Sequence, residues 1–478
     1  MNVLLVMADQ LVPFLTGPYG DPVAQTPALD RLAAEGIRFD AAYTPYPLCS
    51  PARASLVTGV HASTLRCWDN ASVLHADEPT IAHHLTNAGY ETVLSGKMHF
   101  VGPDQLHGFR RRLTTDVFPA SMDWVPTQDA DGRFVRGGHA RLYVPPRVGV
   151  APWTMFLSFD EETHFRSLEF IRERGRRPSD EPFFLVASYH HPHDPFVVTQ
   201  ELWDLYEDAD VALPERRDPN YTAMDVWANE AHETDQVPAL DDPDAMRALR
   251  RAYYGLVTYV DRKLGELVRA LEETGQADDT VVVFTSDHGD MLGERRMVQK
   301  RTFYEWSVRV PLVVRLPGGE HAGEAVAAPV SLLDLAPTFL DLAGVPEAER
   351  TPLDGESLLS PRDDRIVFSE YHVEKVRAPC FMARKGRHKL VHVHGHDERL
   401  FDLEADPGEW DDLLGAAELA DVERELREAI DRRFDADRLA AEGAASIHRR
   451  ELIARAMARN GTHWDHQPFF DARRQYVR

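Results

Sequence analysis

A cysteine opens a helix-like run in Leu48-Cys49-Ser50-Pro51-Ala52-Arg53-Ala54-Ser55-Leu56-Val57-Thr58-Gly59. Proline suits a first helical turn, because its missing N–H would have no intrahelical partner there. Gly59 suits the other end. Cys49 is therefore expected at a helix N-terminus, where free N–H groups and the macrodipole favour negative charge. Arg53 would follow about one turn later. A thiol in that setting is acidified and can act as a nucleophile. The competing reading is a buried structural cysteine beside a helix cap.

A second set of reactive side chains follows a series of apolar runs. Asp9 and Gln10 end residues 3–8, Lys97 and His99 follow residues 91–94, His193 follows residues 183–188, and Asp287 and His288 follow residues 280–285. Short continuous apolar runs of this kind read as buried parallel strands. A parallel sheet gathers its strand C-termini at one edge, where ligands bind. Taken singly, each polar residue has an ordinary explanation as a strand-end cap or a satisfied loop side chain. Together, Asp9, Gln10, Asp287 and His288 offer carboxylate, amide and imidazole donors. That set suits calcium first, and also magnesium or manganese, and lacks the several His and Cys ligands of a typical zinc site. Such an ion polarises an oxyanion and stabilises an ionised nucleophile. Arg53, Lys97 and Lys300 would add cationic stabilisation to a tetrahedral anion.

The elements that must position these groups alternate. Residues 26–36 read as a helix with Thr26 as N-cap, Pro27 in its first turn and Gly36 at its end. Residues 39–43 read as a short strand, 80–88 as a helix and 310–316 as a strand, with a helix at 332–342. The clearest helix lies at residues 244–273, where Leu249, Tyr253, Leu256, Val260, Leu264, Leu267 and Leu271 form one apolar stripe. Residues 114–149 are placed in long loops over the catalytic face, and the acidic stretch 208–242 in a surface excursion. The pattern predicts an α/β fold with a mostly parallel sheet between helices. Beyond about residue 360 it changes to short strands at 365–370, 380–384, 388–394 and 400–403, then helices at 418–434 and 449–459. We therefore expect a catalytic domain over residues 1–360 and a smaller α+β unit over residues 361–478.

The chain has 478 residues, with Lys+Arg 53 against Asp+Glu 78, a formal net charge of −25. That balance argues against nucleic acid or an anionic membrane as partner. The three cysteines, Cys49, Cys67 and Cys380, are too sparse for a disulfide framework. The N-terminus has no basic region and only a short apolar run, so a soluble, cytoplasmic protein is expected.

In order along the chain, Asp9-Gln10, Cys49-Ser50-Pro51-Ala52-Arg53, Gly96-Lys97-Met98-His99, Pro192-His193-Asp194-Pro195, Ser286-Asp287-His288-Gly289 and Lys300-Arg301-Thr302-Phe303-Tyr304-Glu305 resemble the motifs of the type I sulfatases. Longer segments, among them residues 95–109, 113–116, 286–295 and 464–468, resemble the choline sulfatases within that group. The resemblance covers nearly the whole chain. It implies an alkaline-phosphatase-like fold, a formylglycine made from Cys49 by a formylglycine-generating enzyme, and a metal held by Asp9, Gln10, residue 49, Asp287 and His288. It implies that a hydroxyl of the hydrated formylglycine attacks sulfur, with His193 or Lys300 assisting the leaving oxygen. His99 would then take a proton from the second hydroxyl as sulfate is expelled. The implied substrate is a small sulfate ester, choline sulfate above others. Asn70 would contact the sulfate. Trp124, Trp464 and Phe469, with Glu370 or Glu374, would face a quaternary ammonium. Trp464 and Asp465 would reach a neighbouring subunit in a homo-oligomer, a dimer or tetramer. Residues 132–150 differ from the choline sulfatases' aromatic, His- and Asn-containing segment, so an aryl or other alkyl sulfate stays open. So does a phosphonate or phosphodiester substrate. A pseudo-enzyme is disfavoured because every catalytic position is filled.

Overall fold

The computed structural model describes residues 1–122, 124–128, 134–135, 148–215, 217, 219–233, 240–462 and 464. Its main sheet contains β1 Asn2–Asp9, β2 Ile37–Phe39, β3 Glu91–Gly96, β4 Arg111–Arg112, β5 Phe183–Pro192, β6 Thr280–Ser286, β7 Leu312–Arg315 and β8 Glu324–Val326. The spatial order is β8-β2-β7-β6-β1-β5-β3-β4. Strands β4, β3, β5, β1 and β6 run parallel, and β7 alone runs against its neighbours β6 and β2. β1 lies at the centre with every residue buried. A strand covered on both faces needs apolar residues at successive positions, which is why it reads as an unbroken run.

Alternate residues of β1 enter two different cores. Val3, Leu5 and Met7 meet one layer of helices, and Leu4, Val6 and Ala8 the other. The longer helices are α1 Pro27–Glu35, α2 Cys49–Thr58, α3 Ile81–Asn87, α4 Met155–Arg176, α5 Ala223–Glu233, α6 Pro243–Glu273, α7 Leu335–Leu342, α8 Ala420–Arg433 and α9 Ala436–Asn460. Helices α2, α3 and α7 line the first core, and α1, α4 and α6 the second. The expected stripe of α6 is fully buried at Leu249, Tyr253, Leu256, Val260, Leu264, Leu267 and Leu271. Burying each such side chain contributes roughly 2 kcal/mol.

A second, antiparallel sheet is built from β9 Ile366–Tyr371, β10 Cys380–Lys385, β11 His388–Val393 and β12 Glu398–Asp402. Leu426 and Ile430 of α8 pack on Phe381, Ala383, Leu390 and Leu400 of this sheet, together with Trp68 from the main domain. The fold is thus the α/β architecture expected, with an antiparallel unit at its C-terminal side. Among the described residues no helix is long and apolar enough to cross a membrane.

Three segments differ from the sequence expectation. The excursion at 208–242 contains α5, whose Met224, Trp227 and Ala228 are buried and whose start is held by hydrogen bonds between Thr222 and Asp225. The terminal helix α9 begins at Ala436, well before residue 449. Helix α4 has no counterpart in the sequence reading, because the middle of the side it buries is polar, with Asp160, Thr163, His164 and Ser167 between Leu157 and Phe170.

Candidate active site

Four adjacent parallel strands deliver the reactive groups to one edge. β1 ends at Asp9, β6 runs into Asp287 and His288, β3 into Lys97, and β5 into His193. The register pairs Ala8 with Ser286 and Gly96 with Ser188. Gly96 is required there, with φ at +96° and an added Cβ only 1.9 Å from the Ser188 carbonyl oxygen. β5 carries extra residues against β1 between Ser188 and Pro192. Asp160 of α4 accepts the otherwise unpaired N–H groups of His190 and His191 at 2.7 and 3.0 Å, which satisfies the buried backbone of this bulge.

Helix α2 begins at Cys49, as its sequence predicts, and ends with Gly59 in the left-handed conformation. The Cys49 Sγ lies 3.2 Å from His288 Nε2 and 4.0 Å from Asp9 Oδ1. One donor atom each from Asp9, Cys49, Asp287 and His288 lies within 4.8 Å of the others. Two carboxylates, an imidazole and the residue-49 side chain at that spacing fit a single divalent ion of the hard or borderline class.

Arg53 is fully buried and holds this cluster together. Its Nε donates to Asp287 Oδ2 at 2.8 Å and its Nη2 to Asp9 Oδ2 at 2.9 Å. Its Nη1 donates to the Lys97 carbonyl at 2.7 Å and to Ser188 Oγ at 2.8 Å. The guanidinium is therefore committed to the ligand carboxylates and the strand ends. This geometry suits a positioning role beside the expected electrostatic one. Lys97 Nζ pairs with Asp9 and stands 4.5 Å from the centre of the Phe118 ring.

Burial and the Cys49 thiolate work against the Asp9 carboxylate, but Lys97, His193 and Arg53 hold its carboxyl well below the usual range. Burial likewise opposes the Cys49 thiolate, and Lys300, Lys97 and His288 reverse the balance and pull the thiol well below its ordinary value. A cationic ring of this kind favours negative charge at position 49.

Gln10, the remaining expected ligand, stands beside this cluster. Its backbone is left-handed, at φ 66°, and its N–H donates to Asp287 Oδ1 at 3.1 Å. Its side-chain oxygen accepts from Lys300 Nζ, while Nε2 donates to Asp290 and to Asp194 Oδ1 at 3.3 Å. Gln10 thus bridges the cluster to Lys300. Lys300 Nζ also lies 2.9 Å from His193 Nε2.

His99 has φ 57°, and this left-handed backbone is fixed by Asp116. The Asp116 Oδ2 accepts from Met98 N at 2.9 Å, His99 N at 2.7 Å and Arg112 Nη2 at 2.8 Å. The His99 ring stacks on Phe118 with centroids 4.9 Å apart, and its buried Nδ1 has no hydrogen-bond partner among the described residues. Neither Asp116 nor Phe118 was singled out from sequence as a site residue, although Asp116 ends the 113–116 segment that carries the resemblance. Phe118 forms a wall, with Trp124 edge-on at 5.6 Å and His193 at 6.3 Å.

The substrate residues expected from the resemblance divide. Asn70 stands at the start of α2, its Oδ1 accepting from Ser50 N at 3.0 Å. Glu374 lies beside it: Oε2 accepts from Asn70 N at 3.4 Å, and Oε1 from Arg301 Nε and Nη2 at 3.1 and 3.0 Å. Glu370 is corrected to a structural role. It is fully buried, with His372 Nε2 at 2.8 Å and the Ser63 N–H at 2.9 Å. Burial opposes its charge, yet His372 and His61 hold its carboxyl far below the usual range. Trp464 packs with Trp124, Ala71, Met122 and Val125 in one apolar cluster. Asp465 and Phe469 lie outside the described residues, as does most of 132–150.

Residues 1–345 match the family model described as Sulfatase, and residues 293–435 that described as N-sulphoglucosamine sulphohydrolase, C-terminal. The chain belongs to the sulfatase family. This sulfatase is 39% identical to the choline-sulfatase of Rhizobium meliloti, over 100% of this chain and 95% of that protein. It is 30% identical to the multifunctional alkaline phosphatase superfamily protein PehA of Trinickia caryophylli, over 87% of this chain and 91% of that protein. Among solved structures it is similar to the phosphonate monoester hydrolase of Agrobacterium radiobacter, with a TM-score of 0.68 and 25% identity over 92% of this chain and 96% of that one. The phosphonate monoester hydrolase of Silicibacter pomeroyi gives 0.69 and 27% over 91% and 96%. The sulfatase fold therefore includes both the main sheet and the antiparallel C-terminal unit.

Proposed function

We propose that this sulfatase hydrolyses choline sulfate, or an alkyl sulfate ester close to it, to inorganic sulfate and the free alcohol. The observation that carries the reading is the full-length similarity to a choline-sulfatase. The side chains at the sheet edge support it. Formylglycine at position 49, made from the cysteine by a formylglycine-generating enzyme, supplies a hydroxyl nucleophile, and a divalent cation between Asp9, residue 49, Asp287 and His288 supplies positive charge beside it.

The remaining work falls to the chain's own side chains. Arg53 keeps the two ligand carboxylates in place. Lys97 and Lys300 put cationic charge where the ester oxygens gather. The His193–Lys300 pair holds a proton at the position of the leaving oxygen, and the buried Nδ1 of His99 is an acceptor for the hydroxyl proton of residue 49. Asn70 contributes its amide N–H to the sulfate. Trp124 and Phe118 offer aromatic faces to a quaternary ammonium. Calcium is the first choice of metal, before magnesium or manganese. A homo-oligomer in the cytoplasm, and a division into units at about residue 360, belong to the same reading.

A second reading, hydrolysis of phosphonate monoesters or phosphodiesters, is favoured by the two phosphonate monoester hydrolases of similar structure. The test is turnover of choline sulfate, 4-nitrophenyl sulfate and phenyl phenylphosphonate by the metal-loaded enzyme. Release of sulfate from choline sulfate with the highest kcat/KM supports the first reading. A higher kcat/KM for the phosphonate overturns it in favour of the second.

A further inference from the structure

The turn at Trp68–Val73 connects the nucleophile's helix to the C-terminal helix, through Asp69 and Arg450, which the chemistry above does not use. Helix α9 carries Arg450, which is only 5% exposed. Its Nη2 donates to Asp69 Oδ2 at 2.7 Å, its Nη1 to Asp69 Oδ1, and its Nε to Ser446 Oγ at 3.1 Å. Asp69 is fully buried, and its Oδ1 also accepts from Ala71 N at 2.9 Å and Ser72 Oγ at 3.1 Å. A bidentate guanidinium fixes a carboxylate in direction as well as place.

The next residue is Asn70. Its side chain caps α2 at Ser50 N, one residue after Cys49, at 3.0 Å, and its own N–H meets Glu374. Ser50 Oγ continues to the His99 carbonyl at 3.1 Å, and Glu374 continues to Arg301, the residue after Lys300. Buried hydrogen bonds, joined through the Asp69–Asn70 peptide, thus lead from α9 to the backbone of residues 50 and 99 and to the side chain of Arg301.

We propose that Arg450 is a positioning residue for the reaction at residue 49, acting through Asp69 on the Asn70 amide that caps the Cys49 helix. The inference rests on sulfate-ester hydrolysis at residue 49 and on no particular ester. It gives the C-terminal helix a part in catalysis beyond covering the second sheet.

The experiment is a double-mutant cycle on 4-nitrophenyl sulfate, with residue-49 modification and metal content measured in each preparation. Arg450→Ala is expected to lower kcat about 10- to 100-fold with a smaller change in KM. Arg450→Lys, which keeps the charge and loses the fork, should recover part of that loss, as should added ethylguanidinium with Arg450→Ala. Because Arg450 acts through Asn70, the Arg450→Ala/Asn70→Ala double variant should be no slower than Asn70→Ala alone. Arg449→Ala, changed at an exposed neighbour, should match the wild type. Wild-type kcat in Arg450→Ala, or losses that multiply in the double variant, would overturn the inference. If the alanine variant does not fold, Arg450→Lys takes its place in the same cycle and is judged by the same outcomes. A wild type inert on every sulfate ester counts against the proposed function, whereas an unaffected Arg450 variant of an active enzyme counts against this inference.

Discussion

Arg53 Nη2 lies 2.9 Å from Asp9 Oδ2 with neither side chain exposed to solvent. Burial opposes the Arg53 charge, but Asp287 and Asp9 reverse the balance and raise its pKa above the ordinary value. The pair is therefore a fixed ion pair, and in the proposed reaction Arg53 would serve the metal through the carboxylates. Arg53→Lys keeps a charge and loses the fork. It should weaken divalent-metal affinity about 10- to 100-fold, measured by equilibrium dialysis, and excess metal should restore part of the activity. Unchanged metal affinity would assign Arg53 to the substrate instead.

Asp116 holds the left-handed backbone of His99 from behind the ring. Asp116→Ala leaves the Met98 and His99 N–H groups without their acceptor. We expect kcat to fall about 10- to 100-fold with KM nearly constant, since no substrate contact is removed. Parallel losses in kcat and metal content would show that Asp116 supports the cluster as a whole.

In the proposed reaction His193 would supply the pH dependence. Burial and Lys300 lower its pKa, but Asp194, Asp9 and the residue-49 side chain outweigh them and raise it above the ordinary value near 6.5. The protonated ring therefore persists on the alkaline side of 6.5, and the proton needed by the leaving oxygen is lost as pH rises through the raised value. The kcat profile should carry an alkaline limb above neutrality that His193→Gln abolishes. A limb that survives in His193→Gln belongs to another acid.

The aromatic wall is tested by substrate selectivity. Trp124 meets Phe118 edge-on, and removing such a face from a bound cation costs about 1–2 kcal/mol. Trp124→Ala should raise KM for choline sulfate by about 5- to 30-fold, while KM for a neutral alkyl sulfate stays within about 2-fold. Equal losses for both esters would remove Trp124 from ammonium recognition.

What was legible in the sequence follows from the range of the interactions. Asp9, Lys97, His193, Asp287 and His288 follow unbroken apolar strands, so local pattern places them at one sheet edge. The α6 stripe is equally local. Helix α4 was hidden because polar Asp160, Thr163, His164 and Ser167 interrupt its buried face between Leu157 and Phe170, and only its partner strand shows why a carboxylate belongs there. The surroundings of Gln10 and Glu370 were hidden for a similar reason. Whether an amide or carboxylate oxygen is free for a ligand depends on partners far along the chain: Lys300 for Gln10, Ser63 for Glu370. Arg53 showed its proximity in the sequence but not its direction.

The chemistry assigned to residue 49 is tested most directly by the mass of the peptide that contains it, measured beside kcat on the same preparations. Expressed with increasing amounts of formylglycine-generating enzyme, the chain should show sulfate-ester turnover proportional to the fraction of residue 49 present as the aldehyde, and none at zero fraction. A preparation carrying only the unmodified Cys49 thiol that turns over choline sulfate at the same rate would contradict the account.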